Sequence, residues 1–328
     1  MFLNTVSIII PVFNTVGTLE TCFQSLVNQS WIDFNVIIVD DGSTDGSYEF
    51  CKSWEAKDNR FFVKKNNSEI HGPSKARNMG LDLVKTKFVT FIDSDDWVEP
   101  DHLQNLLDTI GSTEICSVNV IKSDTKVENS QVQAKTLSKS EYMVKVLGMK
   151  DVLGYLWNKM FTMSIINKFN LRLDENLNSS EDLLFVVKYL AHIKQGKVIF
   201  APATYHYIVR SNSLTHKQEK STKEIFAELH AVNEVQKVMV GTTQIEQNAL
   251  KVHYVKTYLN MFFNVHEKTG NNYHKLSKIL RYFMLRSLMR YLSSNEVTIK
   301  SKIQVVLVVL LPNLRDFLVK IKNGLRRS

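Results

Sequence analysis

The sequence predicts an α/β fold, a mostly parallel sheet flanked by helices, with a helical module after it. Three observations carry that expectation. Apolar β-branched runs alternate with helix-period segments through residues 6–110, as parallel strands covered on both faces require. Polar clusters follow the runs that end at Val12, Val39 and Ile92, the edge at which open α/β sheets bind ligands. Beyond about residue 220 a helical pattern continues almost to the end without an obvious internal repeat.

Taken in order, Val6–Val12 reads as a buried strand ending in Pro11-Val12-Phe13-Asn14. Leu19, Cys22, Phe23, Leu26 and Val27 then fall at helical spacing on one face. Val36–Val39 is the next strand, stopped by Asp40-Asp41-Gly42-Ser43. A short helix is expected from Ser47 to Trp54, then a strand over Phe61–Val63. Gly72-Pro73 opens a helix expected to bury Ala76, Met79, Gly80 and Leu83. The strand Phe88–Ile92 runs into Asp93-Ser94-Asp95-Asp96, and Leu103, Leu106, Leu107 and Ile110 mark the helix after it. From 111 to 220 the pattern loosens. Ile115–Ile121 reads as one strand, 122–138 as a polar surface excursion and Tyr205–Val209 as a strand.

Composition narrows the class. Of 328 residues 44% are hydrophobic and 23% charged, values that predict a packed core rather than disorder. Cys22, Cys51 and Cys116 lie in apolar stretches without CxxC spacing, which argues for a reducing compartment and against disulfide or zinc frameworks. The first residues lack the charged start and apolar core of a secretory signal, so a cytosolic protein is expected. The net charge is +8, and the stretch Lys300–Ser328 holds seven cations against Asp316 alone, a net of +6. A basic end on a nearly balanced body points to an anionic surface. No RNP, helix-turn-helix or zinc-finger signature accompanies it, so nucleic acid is not expected as partner. In the tail Leu314, Phe317, Leu318, Ile321 and Leu325 repeat at helical spacing, with Arg315, Lys320 and Arg326 mostly off that stripe. That pattern suits a helix lying in a membrane interface, or one packed on its own domain. Val305–Leu311 is far shorter than the roughly 20 residues a membrane-spanning helix needs.

The polar clusters are the candidate chemistry. Asp93-Ser94-Asp95 puts two hard oxygen ligands at the ligand edge, suited to Mg²⁺ or Mn²⁺; as a bare acidic turn it would simply lead into the next helix. Asp40-Asp41-Gly42-Ser43 can accept hydrogen bonds from a base or ribose, or be a plain Asp-Gly turn. His71 to Asn78 brings Lys75 and Arg77 to a helix start, where phosphate binds, although a solvated basic face reads the same way. Glu181-Asp182 after Ser179-Ser180 has the composition of any helix start. Arg210 and His216 flank a Ser/Asn-rich stretch, where Arg210 can hold phosphate and His216 a metal, or both can be surface residues.

Four of these segments occur in an order that resembles glycosyltransferase family 2, which has the GT-A fold. They are Ser7-Ile8-Ile9-Ile10-Pro11-Val12-Phe13-Asn14, Asp40-Asp41-Gly42-Ser43-Thr44-Asp45, Ala76-Arg77-Asn78 and Phe91-Ile92-Asp93-Ser94-Asp95-Asp96. The likeness is strong over residues 5 to about 110 and weaker to about 220. It implies a nucleotide-binding half (1–110) and an acceptor half (111–220); the helical pattern beyond them marks a separate region (221–328) with the basic amphipathic tail, to which the resemblance does not extend. It further implies that Pro11, Phe13 and Asp41 line the nucleobase pocket with Asp40 nearby, and that Arg77 lies near the donor's sugar or phosphate. Asp93 and Asp95 match the family's DxD, with Asp95 the direct metal ligand. Glu181-Asp182 matches its ED pair, the Asp serving as base. Trp157-Asn158-Lys159 resembles a segment lining the acceptor side, and Arg210 with Ser213-Leu214-Thr215 a loop that closes over the diphosphate.

The residue types suit that reaction. Cations stabilise the charge on a departing diphosphate, and a carboxylate takes the proton of an attacking hydroxyl. A helix start is expected to keep Asp182 ionised. The implied enzyme uses a nucleotide-sugar donor, a glycan or lipid-linked acceptor and Mn²⁺ or Mg²⁺, and lies peripherally on the inner face of the membrane. Rival readings fit less well. An aspartyl-nucleophile phosphatase wants its Asp-x-Asp in the first strand, and a dehydrogenase wants GxGxxG where Pro11-Val12-Phe13-Asn14 stands. An inactive nucleotide-sugar or membrane-binding module has no need to keep Asp93, Asp95 and Asp182 together.

Overall fold

Strand and helix alternate through the first 110 residues of the computed structural model, which describes residues 5–122, 133–148, 152–177, 179–208, 222–266, 271–295 and 297–310. Strand β1 (Val6–Val12) is followed by α1 (Val16–Val27), β2 (Phe34–Asp40), α2 (Ser47–Lys57), β3 (Phe61–Lys65), α3 (Pro73–Leu83) and β4 (Phe88–Phe91). Helices cover both faces of these strands, so Ile8, Ile9, Ile10, Val36, Ile38 and Val39 are almost wholly buried. Phe23, Trp54 and Phe61 close one end of the core, with ring centroids 5.4–5.7 Å apart.

Next come β5 (Trp97–Val98), α4 (His102–Ile110), β6 (Ile115–Val118), β7 (Val120–Lys122), β8 (Gln133–Ser138), α5 (Lys139–Gly148), β9 (Lys159–Thr162), α6 (Met163–Lys168), α7 (Glu181–Leu190), β10 (Gln195–Ala201) and β11 (Tyr205–Tyr207). The large sheet has the order β3-β2-β1-β4-β9-β6-β10-β8. Six strands run one way, while β9 and the edge strand β8 run antiparallel to their neighbours. A small sheet, β5-β11-β7, stands beside it. β11 pairs with β5, directly after the acidic turn.

Three sequence expectations change. The Ile115–Ile121 run is two strands in different sheets. Asn119 breaks it: its backbone N–H donates to Ile199 O (2.9 Å) and its side-chain oxygen accepts from Val120 N–H (2.9 Å). Residues 133–138 of the expected excursion form an edge strand, polar because it is mostly exposed. On α3 the buried face comprises Ser74, Ala76, Arg77, Asn78, Gly80 and Leu81, whereas Leu83 is exposed. The helix is turned so that Gly80 meets Ile9; a Cβ there would lie 2.6 Å from Ile9 Cγ2.

Helices α8 (Thr222–Val238), α9 (Gln244–His266), α10 (Asn271–Ser293) and α11 (Ile299–Leu310) complete the described chain. Two compact units emerge. One is Met1–His216 with Ala227–Val240, the other Lys217–Phe226 with Gly241–Ser328. The return of Ala227–Val240 to the first unit is not anticipated by a single cut at 220. Among the described residues no helix is long and apolar enough to cross a membrane. Arg210, the Ser213-Leu214-Thr215 stretch, His216 and the tail from 311 lie outside the described residues.

Candidate active site

The carboxyl ends of β1, β2 and β4 share one sheet edge because the three strands are parallel. At the end of β4, Ile92 N–H still bonds Ile9 O (3.1 Å); then the chain turns, with Asp96 N–H donating to Asp93 O (3.0 Å). Strand β11 clamps that turn. Tyr205 OH accepts from Asp93 N–H (3.2 Å) and donates to Asp96 Oδ2 (2.7 Å), and Ile208 N–H donates to Asp96 Oδ1 (2.8 Å). One carboxylate oxygen from each of Asp93, Asp95 and Asp96 lies within 4.8 Å of the others. Burial, reinforced by Asp93, pushes the Asp96 carboxyl up to about 8. With both of its oxygens engaged, Asp96 serves to hold the turn. Asp93 and Asp95, half-buried, are the pair that fits a divalent cation, since Mg²⁺-type ions take one or two carboxylates and complete their shell with phosphate oxygens and water.

Arg77 connects this turn to a second acidic group. Its side chain projects from the buried face of α3. One terminal nitrogen donates to Asp93 Oδ1 (2.8 Å); the other lies 3.4 Å from Asp182 Oδ1 and 3.7 Å from Glu181 Oε1. Burial opposes the charge on this guanidinium, but Asp182, Asp93 and Glu181 outweigh it and hold its pKa above the ordinary arginine range. Its Nε is buried without a hydrogen-bond partner.

Glu181 and Asp182 begin α7, and Ser180 before them makes no side-chain cap and sits at φ +62°. A left-handed residue other than glycine costs about 1–2 kcal/mol, strain of the kind that accumulates at functional sites. Burial, not the helix start, dominates the charge of this pair. It pushes Glu181 up to about 7, with Asp182 adding to the shift and Arg77 opposing it. Asp182 is also raised by burial; Arg77, the Leu156 N–H and Lys159 pull it back, while Asp93 adds to the rise.

Lys159 opens β9, where its backbone oxygen accepts from Thr90 Oγ1 of β4 (2.8 Å). Its side chain is 0% exposed, and its ammonium donates to Leu153 O, Tyr155 O (2.8 Å) and Asn158 Oδ1 (2.7 Å). Burial lowers its pKa to about 7. An ammonium so enclosed holds the 153–158 loop and has no surface for an acceptor. Trp157 is also buried, stacked on Tyr155 (5.1 Å), Tyr207 (5.5 Å) and Tyr205 (4.6 Å). Tyr155 is the exposed end of this stack, at 38%, and lies close enough to Asp182 for that carboxylate to raise its pKa after burial has done so. Sequence reasoning passed over Tyr155 and Tyr205. Their signal was the aromatic pairing two residues apart in Tyr155-Leu156-Trp157 and Tyr205-His206-Tyr207.

At the other end, Pro11 is half-buried in β1 and Phe13 just beyond it is 57% exposed. Asp40 is wholly buried; its Oδ2 accepts from Gly42 N–H (3.2 Å) and Ser43 N–H (3.3 Å), which makes it part of the turn. Asp41 accepts from Asn66 Nδ2 (2.6 Å) and Gly72 N–H (2.6 Å) and lies beside His71, so it fixes the loop before α3. Lys75 pairs with Glu175 at 3.6 Å. The structure thus brings Asp93, Arg77, Glu181 and Asp182 into one contact network, with Lys159 among the groups that hold Asp182. Lys75 is occupied with a carboxylate of its own.

This arrangement can bind a cation and an anion at one end and take a proton at the other. Residues 7–170, half the chain, match the glycosyl transferase family 2 profile. EpsH of Bacillus subtilis, a glycosyltransferase by name, is 32% identical over 236 residues, which span 70% of this chain and 67% of EpsH. A teichoic acid poly(glycerol phosphate) polymerase of Staphylococcus epidermidis is 28% identical over 206 residues, 60% of this chain and 28% of the polymerase. Among solved structures, S. aureus TarS 1–349 in complex with UDP-GlcNAc aligns with a TM-score of 0.61 at 17% identity, over 88% of this chain and 89% of that one. The mannosyltransferase PcManGT of Pyrobaculum calidifontis, in complex with GDP-Man and Mn²⁺, aligns with a TM-score of 0.55 at 13% identity, over 94% and 87%. The chain belongs to glycosyl transferase family 2. It is a glycosyltransferase with the GT-A fold.

Proposed function

We propose that the chain is a metal-dependent, inverting glycosyltransferase that moves a sugar from a nucleoside diphosphate, UDP in the first place, to a hydroxyl of a glycan or lipid-linked acceptor in surface-polymer synthesis. The observation that carries the reading is Arg77, one guanidinium in contact with Asp93 at the metal-type cluster and with Asp182 at the start of α7. The solved relatives with UDP-GlcNAc and with GDP-Man and Mn²⁺ support the donor class, and the teichoic acid polymerase supports the polymer.

On this reading Phe13 and Pro11 offer the nucleobase a flat wall, which Asp40 and Asp41 shape from the neighbouring turn. Mn²⁺ or Mg²⁺ held by Asp93 and Asp95 would supply a Lewis acid for the departing diphosphate. Arg77 places a fixed positive charge beside that diphosphate. Asp182 takes the proton of the acceptor hydroxyl while the hydroxyl oxygen bonds the anomeric carbon and the bond to the diphosphate breaks. Attack from the face opposite the leaving group inverts the configuration. Burial favours this role, because a carboxylate raised above its ordinary value is a stronger base. Tyr155 offers the acceptor a ring face beside that base, with Trp157 behind it. Arg210 and His216, outside the described residues, are the further candidates for contact with the diphosphate and the metal, and the basic C-terminal region holds the enzyme peripherally on the inner face of the membrane.

Asp182→Asn tests the assignment. Transfer should fall about 10²–10⁴-fold, the usual contribution of general base catalysis, with UDP affinity measured by calorimetry unchanged. Near-normal transfer would remove Asp182 as the base. A wild-type chain that binds UDP with Mn²⁺ yet neither transfers nor hydrolyses any nucleotide sugar would make the protein a binding module.

A further inference from the structure

We infer that the outward face of α10, continued by a strip of α11, is the surface that docks on an anionic lipid bilayer; this deepens, and rests on, the membrane reading above. Helix α10 buries Leu276, Leu280, Met284, Leu288 and Tyr291 along one stripe and packs against α9 and α11. The opposite face of such a helix is ordinarily polar. Here it exposes Ile279, Tyr282, Leu285 and Met289, the last at 78%. Lys275, Lys278, Arg286 and Arg290 are exposed among them, and Asn271–Ser293 contains no Asp or Glu. Helix α11 repeats the arrangement. Val305, Val308 and Val309 are buried, while Ile299 (77% exposed), Ile303 and Leu310 form an outward strip near Lys300 and Lys302.

Charge points the same way. From residue 271 to 328 there are twelve Lys and Arg against Glu296 and Asp316, a net of +10. The whole chain carries +8, so residues 1–270 carry −2. Seven of these cations against Glu296, a net of +6, fall within residues 271–310, the stretch that exposes this apolar surface. Interleaved aliphatic and cationic side chains fit the headgroup layer of an anionic bilayer. Ile, Leu and Met enter the acyl boundary while Lys and Arg keep their heads among the phosphates. A second copy of the chain fits poorly, because a two-fold contact would set one acid-free, cationic helix against another. A polynucleotide would pair with the cations but has nothing to cover five exposed aliphatic side chains from Ile279 to Ile303.

The test is co-sedimentation of the full chain with phosphatidylcholine vesicles, with and without phosphatidylglycerol. Three variants accompany it: Arg286→Glu with Arg290→Glu; Ile279→Ser with Leu285→Ser and Met289→Ser; and a chain ending at Leu310. We expect the wild type to bind the anionic vesicles and to be released by salt. Each Lys or Arg near an anionic leaflet contributes roughly fivefold, so the double Arg variant should bind at least about 25-fold more weakly. The triple Ser variant should also lose binding, whereas the shortened chain should retain much of it. Unchanged helical circular dichroism and an unchanged melting profile show that a variant is folded. Wild-type binding by both face variants, with binding abolished in the shortened chain, overturns this face and moves docking to residues 311–328 while the membrane reading stands. No binding of the wild type to anionic vesicles overturns the membrane reading and the face together. A change from dimer to monomer in the triple Ser variant on size-exclusion light scattering, or binding to RNA in place of vesicles, overturns the lipid assignment.

Discussion

Replacing Lys159 with methionine separates what its buried ammonium holds from what its burial costs. Methionine keeps the length and leaves Leu153 O, Tyr155 O and Asn158 Oδ1 without their donor. At about 1–3 kcal/mol for each abandoned acceptor, the loss is roughly 3–9 kcal/mol. Against it stands desolvation, which moves the amine from 10.5 to about 7, a gap worth about 5 kcal/mol. Below pH 7 folded and unfolded chains both carry the proton, and this cost is complete; above 10.5 neither carries it, and the cost vanishes. Between those limits only the unfolded chain is protonated, so this group makes wild-type stability rise by about 1.4 kcal/mol per pH unit. The variant lacks that dependence. The stability advantage of wild type over Lys159→Met should therefore be small at pH 7 and larger by about 4 kcal/mol at pH 10.

Urea melts followed by tryptophan emission measure it, because all four tryptophans, Trp31, Trp54, Trp97 and Trp157, belong to the first unit. A difference that stays flat with pH would refute the desolvated ammonium. The same variant tests positioning. The loop that Lys159 holds carries the Leu156 N–H to Asp182 and the ring of Tyr155. A displacement of about 1 Å at such a site costs about 10²-fold. We expect that loss in kcat/KM for the acceptor, with UDP affinity preserved; normal transfer would refute the positioning role, and a parallel loss of UDP affinity would trace the defect to the fold.

Other perturbations probe neighbouring claims. Arg77→Lys keeps the charge but cannot span Asp93 and Asp182 together, so transfer should drop about 10²-fold or more; wild-type rates would show that a point charge suffices. Asp95→Ala should weaken Mn²⁺-dependent UDP binding about tenfold or more, a loss of about 1.4 kcal/mol or more, and unaltered metal dependence by calorimetry would reassign the ligand. Gly80→Ala drives a methyl to within 2.6 Å of Ile9 Cγ2 and should destabilise the first unit by about 1–3 kcal/mol; an unmoved urea midpoint would refute the tight contact.

The first half of the fold was legible because each strand is a continuous apolar run with its own covering helix nearby in sequence. The polar edge was legible for the same reason, since clusters that follow three parallel strands must gather there. Partner choice over long separations was not. Lys159–Thr162 is four residues long, and only the folded chain shows it inserted antiparallel between β4 and β6. The Ile115–Ile121 run is apolar on both sides of Asn119, and that side chain's hydrogen bonds, not the run's hydropathy, end the strand. Counting apolar residues mistook the inner face of α3, which buries Arg77 and Asn78. Asn78 is satisfied there by Leu173 and Glu175, almost a hundred residues away. A lysine is ordinarily read as surface; Lys159 is buried because a loop wraps three oxygens around it.

Arg77 shows why the site is more than the sum of its motifs. By sequence it belongs with the nucleotide-binding half, yet its contacts reach Asp182, 105 residues away, as well as Asp93, only 16 away. Without it, the three carboxylates of Asp93, Glu181 and Asp182 would face one another with no guanidinium between them, and the turn after β4 and the start of α7 would repel. One guanidinium cannot balance three carboxylates, and Asp95 adds a fourth acid beside the turn. Among the described residues, the carboxylates in contact with Arg77 therefore outnumber it. That shortfall, together with the oxygens that Asp93 and Asp95 bring within 4.8 Å of one another, is the physical argument for the divalent cation proposed at this edge. The same reasoning makes Arg77 and the proposed cation complementary: the guanidinium contacts both acidic ends, and the ion would offset the charge that the guanidinium leaves over.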